Sequence, residues 1–163
     1  MIQRAGRARG RRAHGDDGSA VVEFAFVGVL LFTLVFGIIS FGLILSFKQD
    51  MTRAAAEGAR AGAVALPVAP QTFADAARAD ADAAVDDAVK EFGGSFSGTG
   101  CAKTGMTCSP AVVAPCGSQP SLDCVTVTLR YDYENHPLYG RIPLISSFMP
   151  DTVEATSVAR ING

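Results

Sequence analysis

Histidine is nearly missing from this chain. Of its 163 residues only His14 and His136 are histidines, and no serine or cysteine nucleophile motif accompanies them. Acid–base and nucleophilic catalysis therefore have few groups to work with, and the chain is expected not to be an enzyme. Proline does not occur before Pro67, so nothing interrupts a long helix in the first third. Cysteine is absent until Cys101. The four cysteines lack the close Cys-x(2–4)-Cys pairs of zinc sites, so no metal is expected. No large charge excess is present: the net charge of −2 excludes the strongly basic balance of a nucleic-acid binder. Charge of either sign is absent altogether from Phe24 to Phe47.

That uncharged run organises the rest. As a helix its twenty-four residues extend about 36 Å at 1.5 Å per residue, more than the roughly 30 Å hydrocarbon core of a bilayer. The chain is 48% hydrophobic with a mean hydropathy of +0.25, and the excess sits mostly in this run. Residues 1–18 form a basic leader with Arg4, Arg7, Arg9, Arg11 and Arg12 against Asp16 and Asp17. With so little apolar surface the leader builds no core. Its arginines keep that end in the cytoplasm by the positive-inside rule, which places the remainder outside. Lys48, Arg53 and Arg60 follow the span but are accompanied by Asp50 and Glu57. All four cysteines fall on the outer side, where disulfides persist. A secretory signal peptide has a shorter apolar region and an Ala-x-Ala-like cleavage site after it, and neither is found here.

Glu23 is the anomaly, a carboxylate inside the apolar block. At the centre of a membrane helix such a group costs about 2.5–3.5 kcal/mol, and less near the interface. One reading is that it reaches back to the headgroups. The other is that it pairs with a cation in an assembly. A cut between Gly18 and Ser19 would make Glu23 the fifth residue of a mature chain, within reach of a neighbouring subunit's new α-amino group.

A basic leader ending in glycine, four residues, Glu-Phe and a long apolar helix is the layout of type IV prepilins. In this chain it reads Gly18, Ser19-Ala20-Val21-Val22, Glu23-Phe24. With Phe36-Gly37-Ile38-Ile39-Ser40-Phe41-Gly42 and the stretch Thr52 to Arg60, residues 18–65 resemble the TadE-like pseudopilins of the tight-adherence (Flp) pilus system. The segment Ala54-Ala55-Ala56-Glu57-Gly58-Ala59-Arg60 looks like that family's motif after the span, with Ala56 where arginine is common. The resemblance implies a prepilin peptidase acting at Gly18–Ser19, with Glu23 as the assembly carboxylate. It also implies a role in assembling an adhesive pilus, with the bilayer, other pilins or pseudopilins and the inner-membrane assembly platform as partners. No cofactor and no nucleic acid enter. The alternative is a single-pass anchored binding module that is not processed at Gly18.

Beyond the span the sequence predicts an α+β domain. The N-terminal helix continues over 19–66, where alanine dominates. Gly58 and Gly62, with Ala54 a turn earlier, make a small-residue stripe of the kind that lets helices approach closely. Leu66-Pro67-Val68-Ala69-Pro70 ends it, and 67–163 is the outer domain. A second helix is predicted over 71–92, with Phe73, Ala77, Ala84, Val85, Ala88 and Phe92 on its apolar face. The acidic cluster Asp80, Asp82, Asp86 and Asp87 lacks the glycine and ligand spacing of a calcium loop and reads as a solvated face. Residues 93–124 read as a loop carrying Cys101, Cys108, Cys116 and Cys124. Its Lys103-Thr104 follows Ala102 rather than glycine, so it is no phosphate loop. Three disulfide pairings are open to four cysteines, and sequence does not choose among them; sequential clips, Cys101–Cys108 and Cys116–Cys124, are the expectation. Clean alternation predicts strands at Val125–Glu134 and Thr152–Ile161, paired as an antiparallel hairpin. Such a hairpin needs the second helix, or the outer half of the first, as a second layer. The connection between the strands carries Leu144, Ile145, Phe148 and Met149 and is unusually apolar for a loop.

Overall fold

The computed structural model describes residues 16–92, 100–117, 119–138 and 149–161. Residues 1–15 of the basic leader, the glycine-rich residues 93–99 and the apolar residues 139–148 lie outside the described residues. The chain divides into two units, 1–38 and 39–163.

In the first unit the described residues belong to helix α1 (Asp16–Ala63). The large apolar side chains here face outward on every side of the helix: Phe24 is 78% exposed and Leu30 72%. The apolar window of this helix reaches a mean hydropathy of 2.6, yet only 11% of it is buried within the protein. A core helix of a soluble protein would hide such a surface. This one is long and apolar enough to cross a membrane, which fits single-pass anchoring.

The second unit begins with the rest of α1 and continues through helix α2 (Phe73–Lys90), a 3-10 turn (Gly100–Ala102) and strands β1 (Met106–Cys116), β2 (Gln119–Asp132) and β3 (Thr152–Arg160). The sheet is antiparallel in the order β1-β2-β3. From Ile44 onward α1 changes character. Ile44, Phe47, Met51, Ala54, Ala55 and Ala59 are buried, while Lys48, Arg53, Glu57 and Arg60 are exposed. That three-and-four spacing is an amphipathic helix laid on a core.

The outer half of α1 runs along β2 and opposite in direction to α2. The Phe47 ring meets Tyr131 at 4.9 Å and Phe92 at 5.9 Å. One end of the packing is thus Phe47, Phe92 and Tyr131; the other is Gly62 against Ala77 and Val125. Val125, Val127, Leu129, Tyr131 and Tyr133 all point into this core, as their alternation predicts. Fully burying a side chain such as Leu129 contributes about 1.5–3 kcal/mol. Both helices supply the layer that the strands need.

Three expectations are corrected. Cysteine-bearing residues 93–124 are not one loop, because Met106–Cys116 is a strand and β2 already begins at Gln119. The sheet therefore has three strands rather than a hairpin's two. β1 is masked in the sequence by Pro110 and Pro115, residues tolerated on an edge strand, and by register shifts between Ser109 and Val112 and between Pro115 and Cys116. The buried face of α2 includes Ala77 and Val85 of the predicted set, with Phe73, Ala88 and Phe92 packed at its margin, but it is completed by Ala76, Ala81 and Val89 rather than by Ala84. It is the face that meets the two glycines of α1.

Candidate functional site

Two groups of residues stand out, one at each end of α1. At its start, Gly18 and Ser19 lie on the helix, and a Cβ built on Gly18 would touch nothing within 4 Å. Glu23 follows Ser19 by four residues, one helical turn. Its carboxylate is exposed and makes no hydrogen bond or ion pair among the described residues. Around it stand exposed Val21, Val22, Phe24 and Phe26. A carboxylate in such an apolar belt is available to a cation brought by another molecule.

At the far end, the Glu57-Gly58-Ala59-Arg60 motif splits by face. Glu57 points outward, where its Oε1 accepts a hydrogen bond from Arg53 Nε at 2.9 Å, a pair one turn apart. Arg60 is also exposed. Gly58 faces inward: a Cβ there would collide with Val85 and stand 3.1 Å from Ala81 O. On Gly62 it would stand 2.6 Å from Ala77 O. The small-residue stripe is therefore a close crossing of α1 and α2, where backbone fills the space beside Gly62 and the Val85 side chain the space beside Gly58. The motif's glycine is a packing residue, while its charged residues remain on the surface. An open groove beside them is lined by Asp50, Arg53, Ala54 and Glu57 of α1, by Ala88 in the last turn of α2 and by Glu91 and Phe92 just after it.

The cysteines are joined as Cys101–Cys108 and Cys116–Cys124, the sequential pairing. The first closes a small loop that holds Lys103, which is 7% exposed. Lys103 Nζ donates to Phe92 O at 2.9 Å and to Lys90 O at 3.4 Å. It thus satisfies carbonyls left without partners at the end of α2. The second disulfide ties the end of β1 to β2.

The acidic cluster does more than face solvent. Asp86 Oδ1 accepts the Cys101 N–H at 2.8 Å, and its other oxygen lies 3.0 Å from Lys90 Nζ. That N–H, then the Lys90 ammonium, hold the Asp86 carboxyl below the usual aspartate value. Asp87, then Asp86, raise the Lys90 ammonium above its usual value. Asp82 Oδ1 accepts the Ala111 N–H at 2.9 Å. Ala111 sits in the β1 irregularity, where the ladder does not use its N–H. Sequence reasoning missed both roles, because spacing within a helix does not reveal which distant backbone groups lie opposite it. Among the described residues no cluster of histidine, cysteine, aspartate or glutamate is arranged to hold a metal ion.

These features describe a protein with one apolar N-terminal helix and a disulfide-stabilised α+β domain built on that helix's outer half. Residues 18–60 match the family model described as TadE-like protein. The match takes in Gly18, Ser19, Glu23, Glu57, Gly58 and Arg60, and ends before α2 and the sheet begin. No curated protein matches the chain, and no solved structure does.

Proposed function

We propose that the chain is a membrane-anchored pseudopilin that takes part in assembling a tight-adherence pilus, and that its role is assembly rather than catalysis. The observation that carries this reading is the TadE-like match over residues 18–60, on a helix whose apolar surface faces outward throughout its first half. In this reading the basic leader stays in the cytoplasm and the disulfide-bonded domain stands outside, where oxidised cysteines persist. A prepilin peptidase cuts between Gly18 and Ser19. The new α-amino group then heads the helix. The Glu23 carboxylate of one subunit neutralises the amine of the next, which lowers the cost of holding both in an apolar bundle. Other pilins and the inner-membrane platform are the partners.

The deciding experiment is the N-terminal sequence of the protein purified from its own membranes. A mature start at Ser19 supports the reading. A start at Met1 or Ile2 overturns the processing step and leaves an anchored binding domain as the better account.

A further inference from the structure

The charges of the two helices are balanced locally, with one exception. Residues three or four positions apart on a helix are neighbours. Arg53 has Asp50 and Glu57 at that spacing, Arg60 has Glu57, Arg78 has Asp75 and Asp82, and Lys90 has Asp86 and Asp87. Lys48 has no acid there: Ile44, Leu45, Met51 and Thr52 stand at those positions. It is exposed, and its ammonium makes no hydrogen bond or ion pair among the described residues.

The groove beside the Glu57 motif has the opposite surplus. Asp50, Glu57 and Glu91 line it against Arg53 alone, and that guanidinium is already bonded to Glu57. The Asp50 and Glu91 carboxylates are exposed and make no hydrogen bond or ion pair among the described residues. The three carboxylates are not gathered as a metal site needs. They edge a space of about 340 Å³ that also meets Ala54, Ala88 and Phe92. Such a lining suits a long side chain with an apolar stem and a cationic head. Residues 93–99, which follow Phe92 directly, carry no cation.

We propose that this groove takes the Lys48 side chain of a second copy of the chain, with its stem on Ala54, Ala88 and Phe92 and its ammonium between Asp50 and Glu91. Lys48 precedes Glu57 by nine residues, two and a half turns, so it leaves α1 on the side away from the groove. One copy thus offers its groove to one neighbour and its Lys48 to another. The contact is heterologous: it does not close as a twofold pair but strings copies into a chain or a ring. It uses residues of the second unit only. It needs neither leader removal nor Glu23, so it and the processing step can fail separately.

The test uses the full-length protein in detergent micelles, as an equal mixture of isotope-labelled and unlabelled chains. A carbodiimide then joins amines directly to carboxylates. The expected product is a mixed-isotope peptide pair linking Lys48 to Asp50 or Glu91, in species that extend beyond two chains. Raised salt should lower its yield, because both partners are exposed. Lys48→Glu should weaken association about fivefold in sedimentation. Adding Glu91→Lys to that variant should restore it. Both positions are exposed, and an unchanged circular dichroism spectrum checks that each variant is folded. The proposal is overturned by Lys48 cross-links confined to a single chain, or by products that stop at two chains. It is equally overturned if Lys48→Glu leaves association unchanged, or if the double variant associates no better than Lys48→Glu alone.

Discussion

A Cβ placed on Gly62 would stand 2.6 Å from the carbonyl oxygen of Ala77. The obstacle is helix backbone, so it does not rotate away. Gly62→Ala therefore forces α1 and α2 apart at a cost of about 1–3 kcal/mol. The better helix propensity of alanine offsets up to about 1 kcal/mol of this. A net fall in the thermal midpoint is expected. Gly58→Ala should cost less, because the atom it meets first belongs to the Val85 side chain. Calorimetry of the two variants in the same detergent checks the order.

Asp82→Ala leaves the Ala111 N–H without its acceptor in a residue that is 3% exposed. An orphaned buried donor costs about 1–3 kcal/mol. Hydrogen exchange should show faster opening around Ala111, with little change at Leu129.

Asp86 gives a pH signature. Its folded pKa lies below the ordinary value of 3.8, chiefly because of the Cys101 N–H and next because of Lys90. A depressed carboxylate pKa means that this stabilisation is fully present above the unfolded value. It is lost as the pH falls from there through the folded pKa. Stability should therefore decline as the pH drops below 3.8. In Asp86→Asn the amide oxygen still accepts from Cys101, but the decline should be shallower. Denaturant midpoints across acid pH measure the difference.

Much of the fold is legible from side-chain pattern. The alternation from Val125 to Tyr133 and that from Val153 to Ile161 each report a single environment per face, whereas the uncharged run from Phe24 marks the exposed apolar half of α1 but does not show that its last residues, Ile44 and Phe47, join the core. β1 was not legible, because Pro110 and Pro115 and the irregularity at Ala111 break its alternation; it is a strand through pairing with β2 and through Asp82. An alanine-rich helix has weak apolar contrast, which hides Ala76, Ala81 and Val89 from the predicted face of α2. Only the glycines of α1 select the stripe through Ala77, Ala81 and Val85. For the candidate site, Gly18, Ser19 and Glu23 are legible from the sequence pattern, and the family-model match over residues 18–60 includes all three.

Lys103→Met keeps the aliphatic stem and removes the ammonium that reaches Phe92 O and Lys90 O. A charged hydrogen bond of this kind contributes about 1.5–3 kcal/mol. A lower midpoint is expected, with fraying at the α2 end seen as lost amide protection near Val89. Both disulfides should still form, which mass spectrometry without reductant verifies.

On the proposed reading, processing and assembly separate at Gly18 and Glu23. Gly18→Val meets no neighbouring atoms, so it leaves the fold intact. If leader removal stops, the loss belongs to recognition of the Gly18–Ser19 bond. Glu23→Gln should be cleaved normally yet fail in assembly, as counted by pilus yield. Normal assembly of that variant would refute the charge-pairing role.

The outer half of α1 contributes Phe47, Met51, Ala54, Ala55 and Ala59 to the same core as α2 and the sheet. The domain is consequently not cargo on a detachable stalk. A protease that cut between Phe47 and Ala54 would release no folded fragment. It would strip one layer from the core and expose Val127, Leu129 and Tyr131. A separately folded domain would have to keep the helix from Ile44 onward.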